Sequence, residues 1–179
     1  MKSIKNITIL LIIFVLIMNA SSVMKYLFPF NHSDSIAKYS KLYNLDPIIV
    51  SAVIRTESNF DIDAKSRKNA YGLMQITPDT ARWAADKMKI ENFSLDMLMD
   101  PETNIKMGCW YLSNLQSEFK NTELALAAYN AGRGNVQKWL KDSNYSSDGV
   151  TLASIPFSET DKYIKKVKIY YKVYKFLYF

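Results

Sequence analysis

Apolar positions along this chain recur at the spacing of helices. In "DPIIVSAVIRTE", Val50, Val53, Ile54 and Glu57 fall at i, i+3, i+4 and i+7, one stripe of a helix. Asp46 is suited to cap its free N–H groups, and Pro47 is tolerated in its first turn. The pair Thr77-Pro78 predicts another helix through Met88, and Asp100-Pro101 a longer one to about Phe119. Asp34 to Tyr43 reads as a short helix. Thr122 precedes "ELALAAYN", which Gly132 is expected to end in a left-handed cap. "NVQKWL" is a further short helix, and the last long one starts near Ser158. No segment sustains a period of two between hairpin turns, so the fold class is mainly α. Asp142 to Gly149 is rich in Ser, Asn, Asp and Gly and reads as a flexible loop.

One stretch breaks the amphipathic pattern. Positions 7–18, "ITILLIIFVLIM", are apolar apart from Thr8, and Lys2 and Lys5 precede them, the layout of a secretory leader. The uncharged span between Lys5 and Lys25 covers 19 residues, close to the ~20 that cross a bilayer. Cleavage after Ser22 is compatible with the small Ala20 and Ser22. The length of the run, continued by Val23, Met24 and Leu27, favours an uncleaved anchor with its basic end in the cytoplasm. The expected organisation is a signal-anchor or signal peptide over 1–24, a linker over 25–34 and one domain over 35–179. No cysteine near the leader supports a lipid-modified N-terminus.

Scarcity narrows the chemistry. The chain has one cysteine, Cys109, and one histidine, His32. Cys109 has apolar neighbours and reads as a packed thiol, with no internal disulfide available. Within the domain a Ser-His-Asp arrangement, a zinc cluster and a Gly-rich phosphate loop are all excluded, so neither metal nor cofactor is expected. His32 lies in the linker and reads as solvated. The formal charge is +6, and six lysines lie between Lys162 and Phe179. Tyr163, Val167, Tyr170 or Tyr171, Tyr174 and Tyr178 share that segment at helical spacing. A packed amphipathic helix with a lysine face explains them better than nucleic-acid binding does. Attraction to an anionic surface, cell wall or lipid headgroups, is a secondary reading.

Glu57 then stands out. A carboxylate in an apolar stripe is costly to desolvate, and the helix C-terminus adds repulsion. Both favour a carboxyl group protonated near neutral pH, as a general acid requires. The plainer alternatives are a solvated helix end, or pairing with Arg55 or Arg67. Four more segments bear on the chemistry. "YGLMQI" puts Gln75 in an apolar turn, and "NIKMGCWYL" puts Gly108 on a buried face where a second helix could approach closely. "AYNAG" places Tyr129 and Asn130 at a helix end, and "IPFSETDKYIKKV" places Glu159 in the first turn of the last helix.

Together and in this order, Glu57-Ser58, "GLMQI", "AYNAG" and "IPFSET" with "YIKKV" are similar to signatures of the soluble-type (SLT) lytic transglycosylases, within the lysozyme superfamily. The resemblance covers about Ser35 to Val173. It implies a lysozyme-like single domain that cleaves peptidoglycan glycan strands on the extracytoplasmic face of the membrane. It implies that Glu57 protonates the β-1,4 bond between N-acetylmuramic acid and N-acetylglucosamine and then acts as base. The muramic 6-hydroxyl would close a 1,6-anhydro ring in place of water. One carboxyl group would then suffice where most glycosidases need two. The resemblance also implies a groove lined by Ser66, Gln75, Tyr129 and Glu159, with Tyr129 orienting Glu57, and Ser58 and Asn130 nearby. Two departures concern loop shape: Asn69 stands where a glycine is frequent, and "FDIDAKS" lacks a proline. Thr77 in place of a methionine concerns the groove lining. The competing expectations are a lysozyme-type hydrolase, with Asp61 or Asp63 activating water, and an inactive wall-binding protein.

Overall fold

The computed structural model describes residues 6, 9, 14 and 19–179. Apart from Ile9 and Phe14, the apolar run 7–18 expected to be a leader or anchor lies outside the described residues. Among the described residues no helix is long and apolar enough to cross a membrane. Residues 19–27 are helical, and seven α-helices follow: α1 Ser33–Leu42, α2 Pro47–Glu57, α3 Pro78–Met88, α4 Pro101–Phe119, α5 Thr122–Ala131, α6 Arg133–Lys141 and α7 Ser158–Tyr178. A 3-10 turn over Leu95–Met99, which the hydrophobic pattern had not indicated, leads into α4. The extended backbone among the described residues amounts to isolated bridges, Lys65 with Tyr71 and Tyr71 with Ile76.

Side-chain caps set the helix starts where the sequence indicated. Asp46 accepts from Ile48 N at 2.8 Å, Thr77 from Thr80 N at 3.4 Å, and Asp100 from Thr103 N at 2.8 Å. Asn121 caps α5 through Glu123 N and Leu124 N. Gly132 ends α5 with φ 91 and ψ 140. The positive φ suits glycine, but ψ lies outside the left-handed cap that was expected, because Gly132 is also the N-cap of α6.

α2 runs through the centre, with Val50, Ala52, Val53 and Ile54 fully buried. α7 lies along one side of it, α1 touches both α2 and α4, and α5 bridges α4 and α7. Burying four such side chains supplies several kcal/mol at roughly 1.5–3 kcal/mol for each large one. Cys109 is a buried free thiol in this core, as expected. The loop 142–149 is tied down more than its composition suggested. Asp148 accepts from Val150 N, Thr151 N, Thr151 Oγ1 and Ser146 Oγ.

The segment expected to be a linker packs onto the domain. Phe28 and Phe30 rest against Tyr170, Tyr174 and Tyr178 of α7. Tyr174 Oη donates to Pro29 O at 3.1 Å, and Tyr178 Oη to Phe28 O at 2.7 Å. His32 is half-buried at the head of α1 with φ 58, a left-handed turn into the helix.

Candidate active site

The loop between α2 and α3 forms one wall of a cleft, and its shape depends on small or permissive residues. Gly72 has φ 70, and a Cβ there would lie 2.4 Å from Asn104 Nδ2. Asn69 takes φ 55 and so fills the position where a glycine is frequent, while Gln75 takes φ 48. Fully buried Asn104 holds the loop from α4. Its Nδ2 donates to Tyr71 O and Leu98 O, each at 2.9 Å, and its Oδ1 accepts from Met74 N at 2.8 Å. The close approach expected at Gly108 is made by this loop rather than by a helix. A Cβ on Gly108 would sit 2.3 Å from Met74 Sδ.

Six of the seven residues singled out in the sequence meet in this cleft, of about 320 Å³. They are Glu57, Ser66, Gln75, Tyr129, Asn130 and Glu159, joined by Arg67, Lys68, Ala70 and Thr77. Ser58 lines an adjoining hollow with Glu57, Ser66 and Gln75. It is buried, and its hydroxyl donates to Ile54 O at 3.2 Å, so it closes the helix end. Ser66 Oγ accepts from Lys68 N and Ala70 N at 3.2 and 3.1 Å, which fixes the rim of the loop. Gln75 Nε2 donates to Gly72 O and Ala64 O, leaving Oε1 without a hydrogen bond among the described residues. Asn130 Oδ1 accepts from the buried Thr160 Oγ1 at 2.8 Å, which joins α5 to α7. Glu159 is exposed at the opposite lip, 3.6 Å from an equally exposed Lys68.

Glu57 closes α2 at the cleft floor. Burial is the main influence on it and pushes its carboxyl up to about 7, against smaller downward pulls from the Tyr163 hydroxyl and the Lys166 charge. Neither arginine proposed as a partner neutralises it. Arg55 Nη2 donates to Leu27 O at 2.8 Å, with its guanidinium over Phe28 and Tyr170. Arg67 forms no ion pair among the described residues.

Two tyrosines flank the acid. Burial raises the Tyr129 hydroxyl, and the nearby Glu57 charge raises it further. Its Oη, expected to orient Glu57, instead donates to Met74 O at 2.8 Å and so secures the loop. The group facing Glu57 is Tyr163, which the helical spacing of the last segment marks only as a packing residue. Tyr163 Oη is buried and completes no hydrogen bond of good geometry, yet it interacts favourably with the Glu57 anion. Its position on α7, three residues before Lys166 in "YIKK", was the only signal available.

The sequence and the fold have known counterparts. A family model described as the transglycosylase SLT domain matches residues 34–150. The chain belongs to the SLT transglycosylase domain family. It is 38% identical over 152 residues to the soluble lytic murein transglycosylase of Escherichia coli K12, covering 83% of this chain and 24% of that protein. It is 31% identical over 164 residues to the membrane-bound lytic murein transglycosylase C of Edwardsiella ictaluri, covering 79% of this chain and 46% of the relative. The fold superimposes with a TM-score of 0.76 on an inactive glutamate-to-glutamine variant of the lytic transglycosylase Slt from Pseudomonas aeruginosa. That match has 37% identity over 86% of this chain and 25% of the other. The SLT chain thus spans about a quarter of its soluble relatives and under half of the membrane-bound one.

Proposed function

We propose that this SLT-family chain is a peptidoglycan lytic transglycosylase that cleaves the bond between N-acetylmuramic acid and N-acetylglucosamine without water. The carrying observation is Glu57, a carboxyl group lifted to about 7 by burial at the floor of a polar cleft. Protonated near neutral pH, it donates to the glycosidic oxygen as the bond breaks. The substrate's own acetamido group stabilises the positive sugar carbon. Glu57, now a carboxylate, takes the proton of the muramic 6-hydroxyl as that oxygen closes the 1,6-anhydro ring. An internal hydroxyl held at the reacting carbon reacts at a large effective concentration. Gln75 Oε1 is placed to accept from a sugar amide or hydroxyl, and Asn130 and Glu159 shape the far side.

The hydrolytic alternative requires a second carboxylate to activate water. Asp61 and Asp63 stand in an exposed turn outside the cleft lining, so the geometry favours the intramolecular route. We further propose that the N-terminal apolar run tethers the domain to the extracytoplasmic face of the membrane. Digestion of purified sacculi followed by mass spectrometry of the products tests the reaction. Anhydro ends are expected, and reducing ends alone would assign the hydrolase.

A further inference from the structure

We propose that the C-terminal tip of α7, with residues 23–27, forms a second membrane-contact face that seats the domain on an anionic lipid surface. This goes beyond a tether, since a flexible tether would leave the domain free to tumble. The tip is unusually apolar for a solvated surface. Phe176 is 85% exposed, Phe179 62%, Tyr26 85%, and Val23 and Leu27 51% each. Lys25, Lys172 and Lys175 are exposed around them. Aromatic rings mixed with lysines suit the headgroup level of a bilayer, where rings bury their faces and ammonium groups meet lipid phosphates.

The two parts of this face are fixed to each other. Tyr178 Oη donates to Phe28 O and, more weakly, to Lys25 O, while Phe30 packs edge-on against Phe179. Lys25 Nζ lies 5.4 Å from the Tyr178 ring centre. The chain just before this junction is the uncharged run ending at Met24. Wherever that run enters lipid, Phe176 and Phe179 must arrive at the interface with it. α7 then acts as a strut. Its Tyr163 stands beside Glu57, on the order of 20 Å along the helix from Tyr178 at 1.5 Å per residue. The cleft would therefore be held at a set height above the membrane.

The inference rests on the tether reading for the chain's direction of entry, and the test separates the two. Cys109 is fully buried, so a thiol introduced by Phe176→Cys in the full chain can be labelled selectively with an environment-sensitive dye. Lys138→Cys, at an exposed position of α6, gives the matched control. With the chain in vesicles of neutral and anionic phospholipid, the dye at 176 should shift to the blue and be quenched by headgroup-level nitroxide lipids, and the dye at 138 should not. Lys172→Glu with Lys175→Glu should reduce that quenching severalfold, as should omitting the anionic lipid. A protein that floats with vesicles while the dye at 176 stays in water would keep the tether and overturn the face. Shielding of position 176 through self-association in detergent, without lipid quenching, would also overturn it, in favour of a second copy. Activity on sacculi, measured on the same samples, bears on the proposed reaction alone.

Discussion

The two ends of α7 carry the same residue type in opposite states. At the C-terminal end, Tyr171, Tyr174 and Tyr178 each place their hydroxyl on a fixed acceptor: Asp46 Oδ2, Pro29 O and Phe28 O. At the other end, Tyr163 Oη is buried without a fixed acceptor of good geometry among the described residues, and the group it interacts with is the Glu57 carboxyl. A paired hydroxyl adds about 1 kcal/mol and rigidity. A buried hydroxyl without a fixed acceptor costs stability unless a charge beside it is to be met. The difference separates tyrosines that hold the fold from the one that answers to the acid, and substitution can probe it.

The largest effect is expected at the acid itself. Glu57→Gln should lower muropeptide release by roughly a thousandfold, the scale of general acid–base catalysis. In the proposed reaction Glu57 carries its proton to the glycosidic oxygen, so the wild-type rate should fall as pH rises through about 7. Its linkage to stability has the same sign. A carboxyl group raised on folding favours the native state fully below its unfolded value, and that advantage is lost as pH rises through the folded one. Glu57→Gln should thus gain stability relative to wild type between pH 5 and pH 8, by about 2–3 kcal/mol in urea titrations.

Next comes the support of the loop. Asn104→Ala strands two carbonyls and one N–H and should cost about 3 kcal/mol, with activity falling alongside. The comparison itself is sharpest in a pair of conservative changes. Tyr163→Phe removes a group that lowers Glu57, so the alkaline limb of the pH–rate profile should move upward and the rate drop roughly tenfold. Tyr174→Phe should leave that limb in place and cost about 1 kcal/mol of stability. A shift in the limb for Tyr174→Phe as well would erase the distinction. The smallest effect is expected at the lip. Lys68→Ala breaks only an exposed ion pair and should change stability by less than ~0.5 kcal/mol.

Much of this is legible in the sequence. Asp46-Pro47, Thr77-Pro78 and Asp100-Pro101 announced helix starts because capping is local chemistry, settled within four residues. Glu57 was visible as a charge out of pattern. The long-range closures were not visible. Tyr129 reaches Met74 across 55 positions and Asn104 reaches Tyr71 across 33, and no periodicity encodes such meetings. Tyr163 looked like any core aromatic because its burial is ordinary and only its approach to Glu57 is not. Gly108 advertised a close contact correctly, but nothing nearby named the loop as its partner.

Met74 joins these threads. Its sulfur presses on Gly108, its N–H is held by Asn104, and its carbonyl receives the Tyr129 hydroxyl. Being fully enclosed, it can be oxidised by peroxide only in moments when the wall lifts away. The rate of sulfoxide formation at this one methionine is therefore a built-in clock for how often the enclosure breathes.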